Sequence, residues 1–188
     1  ANQRGSGAQL DGIFAMPFPG AGQMMVGPSI LSITDGTSNT VMFAEVMRST
    51  TLWNAGSGIR DHVTVIINSS NTGFNTTDGT TIPMCMDGST WSSSIKYVGF
   101  QYYRNLPSNY LFTHTLPINW NRRVASGTQR YSCSNSSVTA MHISASSYHT
   151  GGINACLADG SVRFFSDGTT YQVWRNLGTR SGGEVTGN

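Results

Sequence analysis

The sequence is short of charge. Only 11% of its 188 residues are charged, against roughly 25% in an ordinary soluble domain. Lysine is almost missing: Lys96 is the only one, so the net charge of +2 rests on arginine. No basic run or acidic tail is present, and Arg122–Arg123 is the only adjacent basic pair. Binding a phosphate backbone needs a clustered cationic face, so no nucleic-acid partner is expected. No apolar stretch approaches the ~20 residues of a membrane span. Long 3.6-residue apolar periods with caps are also missing, which excludes a mainly helical fold. The three cysteines, Cys85, Cys133 and Cys156, fall in no zinc spacing. Ala1 onward is polar and Gly-rich without an element start, and is expected to be the middle of a longer, processed chain.

Ser, Thr, Asn and Gly take the place of the missing charge, giving a polar but neutral surface that is cheaper to desolvate than a charged one. Turn signals dominate. Six of the seven aspartates are followed by glycine: Asp11, Asp35, Asp78, Asp87, Asp159 and Asp167. Asp-Gly suits tight hairpins, where backbone with φ > 0 is required. Short alternating segments rich in β-branched and aromatic residues lie between these turns. The expected fold is a single mainly β domain over 1–188, an antiparallel sheet with Asp-Gly hairpins and long loops. Residues 1–30 are expected to be irregular, and 68–81 and 106–127 to be surface loops, the second with exposed aromatics available as an interface. Strands are expected over 40–47, with both faces apolar and so central, over 63–67, and over 95–104.

The last hairpin permits a register. A two-residue turn at Asp159–Gly160 pairs Leu157 with Val162 and Ala155 with Phe164. Ile153, Ala155, Leu157, Val162 and Phe164 then share one apolar, buried face. A one-residue slip would turn the apolar set outward, so the register is expected to be strongly specified.

Two segments carry a resemblance. The first is Asp35-Gly36-Thr37-Ser38-Asn39-Thr40, entering a strand that ends at Glu45. The second is His149, nine residues, then Asp159-Gly160. Together, in this order, they resemble a pseudopilin-like family abundant in planctomycetes. The Asp11-Gly12-Ile13-Phe14 stretch is similar to a looser feature of that family. The resemblance implies a type IV pilin-like protein, with an apolar N-terminal helix after a prepilin site and a C-terminal sheet domain. It also implies a filament or surface role without enzymatic activity. The chain matches roughly the C-terminal half to two-thirds of such a protein, the β-rich part of a pilin-like α+β fold, and lacks the prepilin segment and helix.

Several residues invite chemistry, and each has a plainer reading. His149 and Asp159 resemble an acid–base or metal pair, but ten residues of strand separate them by about 33 Å. The plainer roles are a turn for Asp159 and a hydrogen bond at the strand entrance for His149. Asp35 is the only carboxylate in its loop, whereas calcium needs six to eight oxygens. An Asx-turn to Thr37 or Ser38 is the simpler role, with a calcium ion completed by carbonyls from elsewhere kept open. No other cofactor or metal is expected. Glu45, in an apolar strand, needs a partner, with Arg163 or Arg48 as candidates. Asp61-His62 and the many serines allow a triad on paper, but no Gly-x-Ser-x-Gly elbow singles out a nucleophile. Cys156 falls in an expected core strand, so Cys85–Cys133 is the candidate disulfide. Asn68, Asn75 and Asn135 fit the glycosylation pattern, which chance also produces in so Asn/Ser/Thr-rich a chain.

The expected function is a non-enzymatic structural subunit of an extracellular filament or cell-surface assembly, with copies of itself or a related pilin-like chain as partner. The alternative is a secreted carbohydrate- or surface-binding β-module using its aromatics.

Overall fold

The computed structural model of the chain describes residues 12–14, 28–49, 65–68, 82, 83, 85, 91–95, 98, 99, 103, 111–125, 128–135 and 141–183. Among these the fold is mainly β. The strands are β1 (Val41–Ala44), β2 (Val65–Asn68), β3 (Trp91–Ile95), β4 (Val124–Ala125), β5 (Thr128–Gln129), β6 (Ser132–Asn135), β7 (Met141–His142), β8 (Gly152–Leu157) and β9 (Val162–Ser166). One six-residue helix, α1 (Tyr171–Asn176), follows β9, capped by the Thr170 side chain accepting from Val173 N. None of the helices described is long and apolar enough to cross a membrane.

The strands form a three-stranded sheet β1-β8-β9, a four-stranded sheet β3-β2-β6-β7, and the small pair β4-β5. The expectation of a purely antiparallel sheet is corrected at one place, because β2 and β6 run parallel. Parallel neighbours need a long crossover, and the stretch between β2 and β6 supplies it, carrying β3 on the way. The expected strand over 95–104 is also displaced: β3 ends at Ile95, and Gly99 adopts φ 74 in a turn. The 1–30 and 69–81 segments lie almost wholly outside the described residues, as does Asn75. Asn68 and Asn135 are paired across β2 and β6.

The C-terminal hairpin exists, but its register differs by one residue. Gly160 N donates to Leu157 O (2.9 Å) and Leu157 N to Ser161 O (2.8 Å), with Gly160 at φ 85. This is a three-residue loop, a type I turn closed by a left-handed glycine. Cys156 therefore faces Val162, and Asn154 faces Phe164. Ile153, Ala155 and Leu157 are buried as expected, whereas Val162 and Phe164 are 66% and 54% exposed. Phe165 points inward in their place.

The β1 strand is corrected in two ways. Among the described strands it lies at the edge of its sheet, not in the centre. A bulge at Met42 sets Val41 opposite Leu157 and Phe43 opposite Cys156. The extra residue turns Val41 into the core and leaves Phe43 outside. Phe14 packs on the exposed ring of Phe43, with centroids 5.4 Å apart. Cys156 shares this outer face, half-buried and outside any disulfide.

The largest correction concerns 106–127. Residues 113–121 are all buried, Trp120 among them, so the expected exposed aromatic loop is an interior wall. It separates two apolar clusters. Ile118 joins Val41, Ala145, Ile153, Ala155, Leu157 and Trp174 on one side, and Leu116 and Trp120 join Ile66, Tyr131, Cys85 and Cys133 on the other. Most of its hydroxyls and amides are satisfied inside, the buried Asn121 Oδ1 and His114 Nε2 being left without a partner among the described residues. Thr113 bonds Thr115 (2.7 Å), Thr115 bonds His142 (2.8 Å), and Ser144 Oγ donates to Pro117 O (2.9 Å). Buried polar groups are tolerated when paired in this way.

His114 packs against the first cluster through Phe112 and Trp174. Its Nδ1–H donates to Trp174 O (2.7 Å), and its ring stacks on the Trp174 indole, centroids 4.2 Å apart. Gly178 closes the other side: a Cβ there would stand 2.3 Å from the imidazole Cγ. Burial pushes the His114 pKa from 6.5 to about 3, against the Trp174 carbonyl, which favours the charged form. Below pH 6.5 the unfolded chain therefore takes up a proton that the folded chain refuses, and stability falls as pH falls. The slope is about 1.4 kcal/mol per pH unit. Urea titrations should show a loss of about 2 kcal/mol from this group between pH 7 and pH 5, and His114→Phe should remove that part of the dependence. An unchanged slope in the variant would contradict a neutral, sealed His114.

Candidate functional site

The two motif segments come together along β8. At the strand's exit, Asp159 N donates to Thr37 O (3.1 Å) and Ala158 N to Thr40 O (2.8 Å). At its entrance, Glu45 N donates to Asn154 O (3.3 Å), and the Glu45 carboxylate accepts from Asn154 N (2.7 Å) and meets His149 Nε2 (3.1 Å). The Asp35–Glu45 segment thus runs antiparallel beside His149–Asp159 and is fastened at both ends. The nine-residue spacing between His149 and Asp159 is the length needed to enter, span and leave β8.

Local chemistry explains the residue types at the exit. Gly36 has φ 95, a conformation that favours glycine, and opens a 3-10 turn over Thr37–Asn39 that includes Ser38. Asn39 Nδ2 donates to Asp35 O (3.3 Å), and the buried Thr40 hydroxyl donates to Gly36 O (3.0 Å). Asp159 Oδ1 accepts from Ser161 N (2.9 Å) and Ser161 Oγ (2.7 Å), and these hydrogen bonds hold its carboxyl below the usual carboxylate range.

Asp35 does not make the expected Asx-turn to Thr37 or Ser38. Its Oδ2 accepts from Gly182 N (2.8 Å) and Thr179 Oγ1 (3.1 Å), and its Oδ1 from Gly183 N (2.9 Å). Asp35 N also donates to Arg180 O (3.1 Å). The carboxylate is therefore a clamp on the segment after α1. The backbone amides of two glycines and a hydroxyl occupy the acceptor positions that a calcium ion would use. Among the described residues, no group of three or more His, Cys, Asp and Glu side chains is placed to hold a metal ion.

Glu45 is corrected as well: its partners are Asn154 and His149, not Arg163 or Arg48. Burial raises its pKa, but the Asn154 amide, the Asn154 and Ser147 side chains and His149 outweigh it, and the net shift is downward. His149 does not approach Asp159, because β8 holds them at opposite ends.

Sequence reasoning missed two supports. Asn119 is buried with φ 53, the single non-glycine in left-handed backbone among the described residues. Its Nδ2 donates to Asp167 Oδ1 (2.6 Å) and its Oδ1 accepts from Ser147 N (2.9 Å). Asparagine's tolerance of that conformation was the available signal, in Pro117-Ile118-Asn119. Arg122 Nη1 donates to Ser147 O (2.7 Å) and His149 O (2.9 Å), setting the turn that presents His149 to Glu45.

Cys85 and Cys133 are joined in a disulfide, Cα atoms 5.4 Å apart, inside the second cluster. Trp120 Nε1 and Tyr131 N both donate to Cys85 O (3.3 and 3.0 Å).

These features define a class: a disulfide-bonded, mainly β domain in which two Asp-Gly motifs zip an edge strand onto the following hairpin. The chain belongs to the family described as "Protein of unknown function (DUF1559)", whose model matches residues 3–171. No curated protein and no solved structure matches the chain.

Proposed function

We propose that this chain is the β-domain of a non-enzymatic, pilin-like structural subunit of an extracellular filament or cell-surface assembly. The observation that carries this reading is the use made of the motif carboxylates. Asp35, Glu45 and Asp159 accept from Gly182, Gly183, Asn154 and Ser161 backbone amides, holding the backbone of the two motif segments and of the C-terminal segment in place. Residues recruited for substrate chemistry would instead present lone pairs to a cleft. The pseudopilin-like character that the motif pair resembles supports the reading. So does the disulfide, a bond that persists in oxidising compartments.

Two measurements test it. Labelled antibody and negative-stain microscopy of native surface material should place the chain in regular fibres or layers. Isolated particles that retain glycans would favour a binding module instead. In parallel, Glu45→Ala should lower stability by about 1–3 kcal/mol through loss of charge-assisted hydrogen bonds, and ester, peptide and glycoside substrates should turn over only at background rates. Turnover abolished by His149→Ala, with the fold intact, would make the clamp an active site.

A further inference from the structure

The strand β9 is the outer strand of its sheet. It pairs with β8 on one side, and no described strand lies on the other. The backbone alternation fixes which groups face outward. Ser161 O accepts from Leu157 N and Asp167 N donates to Gly151 O, both 2.8 Å. Odd-numbered residues therefore turn their N–H and C=O toward β8, while Val162, Phe164 and Ser166 turn theirs away. The edge is lightly guarded: β9 has no lysine, proline or bulge, its register with β8 is unbroken, and Arg163 is its one charge. Four of its five residues are exposed.

We propose that this edge pairs antiparallel with the same edge of a second copy, about a two-fold axis at Phe164. Phe164 is the strand's midpoint, so this axis aligns all five residues, and any other shortens the overlap. It sets Phe164 against Phe164 of the second copy, and Val162 against its Ser166. Every residue in those pairs is outward-facing, so a hydrogen-bonded ladder closes without rearrangement. Arg163 falls opposite Phe165 of the second copy, with that copy's Asp167 and Arg163 both diagonal to it, so no two like charges stand directly opposite. Moving the axis by one residue to Arg163 would oppose two guanidinium groups on one face. The pairing gives a six-stranded sheet, β1-β8-β9-β9-β8-β1, with the exposed Phe43, Val162 and Phe164 side chains of both copies on one outer face. It deepens the structural-subunit reading and rests on it for its biological role, though not for its geometry.

Sedimentation equilibrium of the disulfide-intact chain, from micromolar to millimolar concentration, tests the pairing. The expected limiting mass is twice the 20.2 kDa of one chain. Phe164→Arg places like charges at the axis. Phe164→Pro removes an outward N–H without touching the bonds to β8. Each should weaken dimerisation by roughly tenfold or more, with the far-UV circular dichroism of the parent. A wild-type chain that stays monomeric, or folded variants that dimerise as tightly as the parent, would overturn the proposal. A monomeric chain found in native fibres overturns the edge pairing and leaves the subunit reading standing. A Phe164-dependent dimer from a chain that no fibre contains keeps the pairing and removes that reading.

Discussion

Trp174→Ala is expected to lower the unfolding free energy by about 3–5 kcal/mol. Trp174 is fully buried and ties α1 to both the hairpin and the interior wall. Its indole stacks on His114, meets Phe165 edge-on at 5.8 Å, and lies 6.4 Å from Phe112. Alanine removes that transfer energy and leaves a hole between β8, α1 and the wall, none of which can close over it without breaking the His114–Trp174 carbonyl bond. Chemical denaturation at neutral pH reads the loss directly. A cost below about 1 kcal/mol would mean that the cluster is loosely packed.

Loss of the Cys85–Cys133 bond should cost about as much. Its ends are 48 residues apart, and releasing a loop of that length in the unfolded chain corresponds to about 4 kcal/mol. The paired Cys85→Ala, Cys133→Ala variant should shift the urea midpoint downward by about 2 M if the slope is about 2 kcal/mol per molar. Both cysteines are buried, so a phosphine reductant should reach the bond only after unfolding. Rapid reduction under native conditions would show that the second sheet opens independently of the first.

The hairpin shows how much of this was legible. Asp159-Gly160 announces a turn, and the alternation of Ile153, Ala155 and Leu157 announces a buried face. A glycine in left-handed backbone serves a two-residue and a three-residue loop equally well, however, and Phe164 and Phe165 are adjacent and chemically identical. Nothing local selects which ring turns inward, so the one-residue difference inverted β9. The bulge in β1 was hidden for a related reason: Val41, Met42 and Phe43 are all apolar, and the pattern has no contrast to break. The wall at 113–121 was misread because Thr, His and Asn resemble a surface when taken one at a time. They are inside because the wall is held by partners about 30 residues away, as Thr113 is by Ile143 and Thr115 by His142. The motif residues were visible through their resemblance to a family, but their partners were not. Glu45 was matched with arginines on the strength of charge alone, whereas its strongest contact is a backbone amide, which every residue but proline offers.

The Asp35 clamp also sets an order of events. Asp35 and Gly183, which it holds, are 148 residues apart, and Glu45 waits 109 residues for Asn154. At a synthesis rate of about 5–20 residues per second, the clamp's partner emerges roughly 7–30 s after Asp35 does. For most of that interval the apolar strand Val41–Ala44 has no β8 to lie against, since its partner Leu157 is made late in it. Closure of the first sheet is therefore a late event governed by long-range contacts, the kind that fold slowly. The cell must shield a nascent strand for seconds before its own C-terminal region can cover it.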